Sequence, residues 1–141
     1  MSTDISKEHW GNKFWDFLHI SAITFPTPPT NLDKEYYRYL FHNFYRYLPC
    51  QYCQDNYKKH LEELPDIDKF LNDNLSLFEW TVLLHNKVNE KLFKKTWTVK
   101  QAFEHHSNYN PSNNYLLILS SIINVILLFV IFYLFIRLMK N

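Results

Sequence analysis

Pro49-Cys50-Gln51-Tyr52-Cys53 holds the only two cysteines of the chain, two residues apart. A Cys-x-x-Cys of this kind is a redox pair, half of a metal site, or an accident of composition. Proline is favoured in the first helical turn, so Pro49 predicts that Cys50 and Cys53 open a helix reaching about Leu61. Unpaired N–H groups and the positive end of the helix dipole would stabilise a thiolate there. Lys58, Lys59 and His60 follow one to two turns on and are expected in solvent.

Upstream, a helix capped by Asn31 or Asp33 is expected to reach about Tyr47. Its face of Tyr36, Tyr39, Leu40, Asn43, Phe44 and Tyr47 repeats at helical spacing. Before it, Phe25-Pro26-Thr27-Pro28-Pro29-Thr30 ends a first helix expected from about Lys7 to Thr24. Gly11, Trp15 and His19 are four apart and share one face of that helix. Phe14, Phe17, Leu18 and Ile20 widen its apolar side.

Downstream, Leu64 to Asn74 reads as a polar connection. Ser76-Leu77-Phe78-Glu79 has the form of a capping box, predicting a fourth helix to about Phe93. Leu77, Trp80, Leu84, Val88 and Leu92 follow helical spacing and should face the core. Val82, His85 and Asn89 form an adjacent strip, which is the edge of a ligand site or a solvated border. Thr98-Val99-Lys100-Gln101 reads as a second capping box, for a short helix ending near His105-His106. Those two histidines are expected in solvent, with no metal on them.

Composition narrows the class. Aromatics make up 18% of the 141 residues and glycine occurs once. A chain so poor in glycine is ill supplied for hairpins and phosphate loops. The net charge of +1 gives no broad basic field, so no nucleic-acid partner is expected. Two cysteines are too few for a disulfide scaffold. The expectation is an all-α domain over 1–107, a linker over 108–114, a transmembrane helix over 115–136 and a tail over 137–141. Residues 115–136 are almost wholly Leu, Ile, Val and Phe, interrupted by Ser120, Ser121 and Asn124, with no charge. As a helix that stretch is roughly 33 Å long, enough to cross a hydrocarbon core. Tyr115, Tyr133, Arg137 and Lys140 suit its ends.

As chemistry, a Cys-x-x-Cys at a helix start can close a disulfide or reopen it by thiolate attack. Sustained oxidation needs an electron acceptor. The chain has neither a second cysteine pair nor a Gly-x-Gly-x-x-Gly. A flavin would meet the need, since its ring takes two electrons from a dithiol.

Taken together, these segments resemble the Erv/ALR flavin-linked sulfhydryl oxidases over about Trp10 to Val99. Trp15-Asp16-Phe17-Leu18-His19 with Phe25-Pro26 is similar to the family's first segment. Pro49-Cys50-x-x-Cys53 is similar to its active disulfide. Trp80-x-x-x-x-His85-Asn86-x-Val88-Asn89-x-Lys91-Leu92-x-Lys94, followed by Trp97, is similar to its flavin segment. The resemblance implies a four-helix bundle plus a short fifth helix, FAD at the mouth of the bundle, and a homodimer. It also implies roles. Cys53 is the flavin-proximal sulfur and Cys50 exchanges with incoming thiols. Gly11, Lys13, Trp15, His19, His85, Asn86, Val88, Asn89, Lys91, Leu92, Lys94 and Trp97 border the cofactor. Electrons come from a separate dithiol protein and pass through FAD to O2, giving H2O2.

Two departures stand out. The family's Cys-x16-Cys pair falls on Val82 and Val99, and no shuttle cysteines exist in a tail. This minimal set with a membrane span resembles the oxidases of large cytoplasmic DNA viruses, which form disulfides in virion proteins. Met1 to Glu8 lacks the apolar core of a secretory signal, so insertion after synthesis is expected, with the domain cytosolic and the membrane that of a cell or of a virion. The competing reading is a membrane-anchored zinc adaptor using Cys50, Cys53 and two of His42, His60 and His85. A tethered helical scaffold with incidental cysteines is the third.

Overall fold

The structure, a computed structural model, describes residues 6–107, 119–129 and 137. Five helices follow in order: α1 (Lys7–Ile23), α2 (Asn31–Asn43), α3 (Gln51–Glu63), α4 (Asn74–Lys91) and α5 (Val99–Ser107). Short 3-10 segments, Phe44–Tyr47 and Ile67–Lys69, lie between them. Four long helices and a short fifth match the expected bundle, and no strand occurs among the described residues.

Local chemistry sets the ends. Ser6 caps α1 through His9 N–H. Thr30, not Asn31 or Asp33, caps α2; Asp33 closes the box by accepting from Thr30 N–H at 2.8 Å. The α2 helix ends at Asn43 and tightens into the 3-10 turn instead of running on to Tyr47. The cause is Pro49, which holds Leu48 in an extended conformation and so stops regular helix ahead of it.

The predicted start of α4 is corrected as well. Asp73 is its cap, and Ser76 is the third helical residue, whose N–H and hydroxyl both reach the Asp73 carboxylate. Aspartate in an extended conformation outcompetes a serine already inside the first turn. The second box is as expected: Thr98 N–H donates to Gln101 Oε1 at 3.0 Å and Gln101 N–H to Thr98 Oγ1 at 3.2 Å.

The helix α4 lies at the centre of the bundle. Leu77, Phe78, Trp80, Thr81, Val82 and Leu84 are all buried, so it has no wide polar face. Of its predicted core stripe, Leu92 is exposed: it is the C-cap, just past the last residue of α4. Asn74 Nδ2 donates to Ile23 O, while Trp15 and His19 meet His85 and Thr81. As α1 numbers fall, α4 numbers rise, so the two run antiparallel. Phe41 meets Trp80 edge-on at 5.7 Å, and Tyr57 donates its buried hydroxyl to Phe41 O at 2.9 Å. His60, expected in solvent, is buried beside Tyr57, because Tyr57, His60, Leu61 and Leu64 share the inward face of α3.

The chain divides into two compact units, Met1–His106 and Ser107–Asn141. Of the expected span 115–136, residues 119–129 are helical with exposed side chains, and the remainder lies outside the described residues. Among the described residues, no helix is long and apolar enough to cross a membrane.

Candidate functional site

The cysteine end is built by the turn into α3. Cys50 is the N-cap, in an extended conformation, and Cys53 is the third helical residue. Pro49 therefore sits outside the helix, just before the cap, instead of in the first turn as predicted. The two cysteines are joined by a disulfide, and both are half-buried. Cys53 N–H points at Cys50 Sγ at 3.3 Å. A thiolate released at Cys50 would thus meet a backbone donor and the positive end of α3. Lys91, from the end of α4, hydrogen-bonds Asn56 and lies 5.3 Å from the Tyr52 ring, whose residue falls between the cysteines.

The second part is a cleft of about 350 Å³ bordered by α1, α4, α5 and Trp97. Trp15 stacks on His85 with ring centroids 4.1 Å apart and planes 6° from parallel. His19, fully buried, lies between Thr81 Oγ1 at 2.8 Å and His85 Nδ1 at 3.0 Å. The His106 ring lies 4.6 Å from the His19 ring, and His106 Nδ1 is 3.6 Å from Asp16. Burial, then the neighbouring histidines, hold His19 down to about 2. Burial, then His106 and Lys94, lower His85 to about 4. Both rings are therefore neutral near pH 7. His106 is lowered by burial and by His105, against the pull of Asp16.

Asn86, which borders the cleft, also holds the chain that follows α4. Its amide donates to Trp97 O at 2.8 Å and accepts from Trp97 N–H at 2.9 Å. It pins the segment after α4 so that the Trp97 ring sits 5.0 Å from His105 at the cleft rim. That segment turns sharply at Phe93, whose φ is 54°. Phe93 N–H bonds Glu90 O and Lys94 N–H bonds Asn89 O, the paired bonds of a Schellman ending.

The implied cofactor residues thus separate. Trp15, His19, His85, Asn86 and Trp97 border the cleft, and Lys94 is near enough to act on His85. Lys91 faces α3. Asn89 is buried at the helix end, Val88 is half-buried and Leu92 is exposed. Gly11 borders open space: a Cβ there would meet nothing within 4 Å. Lys13 lines another groove, with Phe14, Phe17, Leu40, Phe44 and Tyr47, on the side of α1 facing α2. Asn12, Asp16, Thr81, His105 and His106 were missed. Ala102, Phe103 and His106 fall on one face of α5, a signal that could have brought His106 inward.

Aromatic faces with ring nitrogens and a nearby ammonium suit a flat heteroaromatic group carrying phosphate, so the residues fit a flavin dinucleotide. They do not fit zinc. Cys50 and Cys53 are bonded to each other, and no group of three metal-ligating side chains occurs among the described residues.

Comparison with known proteins agrees. The profile of the Erv1 / Alr family matches residues 12–109. A probable FAD-linked sulfhydryl oxidase of Acanthamoeba polyphaga mimivirus is 43% identical over 101 residues, covering 71% of this chain and 70% of that one. The FAD-linked sulfhydryl oxidase of African swine fever virus is 37% identical over 87 residues, 62% of this chain and 71% of that one. The crystal structure of the FAD binding domain of Erv1 from Saccharomyces cerevisiae superposes with a TM-score of 0.65 at 25% identity, covering 75% of this chain and 99% of that one.

Proposed function

The chain belongs to the Erv1 / Alr family, and on that premise we propose that it is an FAD-linked sulfhydryl oxidase forming disulfides in partner proteins. The single observation that carries the reading is the Cys50–Cys53 disulfide at the start of α3, in a bundle that also builds the aromatic cleft.

The chain's own residues perform thiol–disulfide exchange. A substrate thiolate attacks Cys50 Sγ; the Cys50–Cys53 bond breaks and Cys53 leaves as a thiolate. The substrate's second thiolate then attacks its partner sulfur in the mixed disulfide and expels Cys50. That leaving thiolate receives Cys53 N–H and the α3 dipole. Substrate is oxidised by two electrons, and the pair Cys50/Cys53 is reduced by two. Bound FAD would supply the two-electron acceptor for the reduced Cys50/Cys53 pair, with O2 as the final oxidant and H2O2 as product. Trp15, His19, His85 and Trp97 would hold it, with Lys94 toward its phosphates; Asn86 positions Trp97.

We read residues 115–136 as a membrane anchor on their apolarity alone. The groove of Phe14, Phe17, Leu40, Phe44 and Tyr47 supports a homodimer, since its floor is apolar and Phe17 is half exposed. A viral pathway of cytoplasmic disulfide formation is the setting that the viral relatives support.

One preparation tests this reading: the full chain purified in detergent. It should be yellow, release peroxide one-for-one with disulfide from a dithiol, and scatter as two chains per particle. A colourless protein that takes up no added FAD sinks the oxidase reading. A single-chain mass removes the dimer only, and solubility without detergent removes the anchor only.

A further inference from the structure

Four groups, running from the buried face of α4 out to the cleft, form a chain of hydrogen bonds whose direction is fixed from one end. Thr81 Oγ1 lies 2.7 Å from Phe78 O. A carbonyl oxygen cannot donate, so the one hydroxyl hydrogen of Thr81 must point at it. Thr81 Oγ1 can then only accept from His19 Nδ1, 2.8 Å away. His19 therefore carries its hydrogen on Nδ1 and presents a lone pair at Nε2. The contact at 3.0 Å from that lone pair is His85 Nδ1, which must carry a hydrogen. A neutral imidazole has one N–H, so His85 Nε2 is left as a lone pair. Burial keeps both rings neutral. No described residue is seen to bond His85 Nε2, which is not sealed in the interior, on a side chain that borders the cleft.

We infer that Thr81 is a positioning residue: it locks the tautomers of His19 and His85, so that the cleft offers an acceptor and selects a ring whose edge donates an N–H. The inference rests on the FAD reading and names which end of that ligand the cleft takes. None of the cleft residues comes from α3, so the cleft does not abut the disulfide. The flavin ring must reach Cys53, which leaves the adenine for the cleft. Adenine carries an exocyclic amine, a donor; hypoxanthine carries an oxo group at that position, which would set lone pair against lone pair there, and its one edge N–H lies on the neighbouring ring nitrogen N1.

The test uses the full chain, stripped of flavin and titrated with FAD or with its deaminated analogue, flavin hypoxanthine dinucleotide. Wild type should bind the analogue about tenfold more weakly. Thr81→Ser keeps the hydroxyl and should keep that preference. Thr81→Val should bring the two ligands to within about twofold. Long-range proton–nitrogen NMR of wild type reads the tautomers directly and does not depend on the valine variant folding. Hydrogens on Nδ1 of both His19 and His85 are expected. A hydrogen on His85 Nε2, or equal binding of both dinucleotides by wild type, overturns the inference. Failure to bind either dinucleotide overturns the FAD reading instead, while the NMR result still judges the tautomers.

Discussion

The two ends of this site are made in opposite ways. The cysteine end is five contiguous residues, the two cysteines half-buried and the other three exposed, held by one backbone N–H and the start of a helix. The histidine end joins side chains 62 and 66 positions apart, bonded in series, with His19 and Thr81 buried and His85 half-buried. One is local and exchanges with whatever thiol arrives; the other exists only once α1, α4 and α5 have packed. The difference separates chemistry from grip: a change at one end should leave the other measurable.

The largest effect expected is at the cysteine end. Cys53→Ser removes the sulfur that must receive and release the internal disulfide, so turnover with a dithiol should fall to the uncatalysed background. The cofactor should remain, because none of the cleft groups touches that sulfur. Peroxide release read beside flavin absorbance tests both halves. Residual turnover near wild type would remove Cys53 from the mechanism, and loss of the flavin would break the separation of the two ends.

A smaller effect comes from acid, and it acts on the histidine end alone over a definite range. His19 and His85 are lowered to about 2 and about 4 from an ordinary 6.5, chiefly by burial. Above pH 6.5 both are neutral folded or unfolded, and they add no pH dependence. Below 6.5 the unfolded chain takes up protons that the folded chain refuses, so stability falls as pH falls. Each group contributes a slope of up to about 1.4 kcal/mol per pH unit until its folded value is reached. His106, also lowered, adds in the same direction. Asp33, Glu63 and Asp73 are lowered from values of 3.8, 4.5 and 3.8, so their acid losses come mainly below pH 5. Melting temperature should therefore drop between pH 6.5 and 5, before the carboxylates titrate. A flat profile over that range would mean that water reaches the histidines.

The same contrast governs what could be read from the sequence. Pro49, the cysteine spacing and the Thr98–Gln101 box are short-range signals, and they placed α3 and α5 to within a residue or two. Trp15, His19 and His85 were legible as a group through helical spacing and resemblance. Thr81 was not, since one threonine in an apolar run looks like core until His19 is seen 2.8 Å away. His106 was read as solvent because two adjacent histidines at the end of a short helix, just before a linker, look polar; only packing of α5 on Phe78 turns one inward. Asn86 was read as a ligand contact and does border the cleft; what the sequence did not show is that its amide also binds the Trp97 backbone.

The smallest effect expected lies where α4 ends and the chain turns back toward the cleft. Phe93 takes the left-handed conformation there, φ 54°, with its side chain 99% exposed. Glycine is the usual residue at that place in a Schellman ending, because a Cβ crowds the following carbonyl. Phenylalanine therefore costs about 1 kcal/mol there and recovers nothing by burial. Phe93→Gly should remove that strain, partly offset by the greater freedom of glycine in the unfolded chain, for a net gain of about 0.5 kcal/mol. The paired bonds from Phe93 and Lys94 back to α4 should persist, so Lys94 and Trp97 stay where they are and flavin affinity is unchanged. Phe93→Ala keeps the strain and should show no gain. Denaturant unfolding of the three proteins, read beside flavin titration, separates backbone from side chain. If glycine and alanine both lower affinity, the exposed ring touches the ligand, and the grip extends beyond the histidine end to the turn that follows α4.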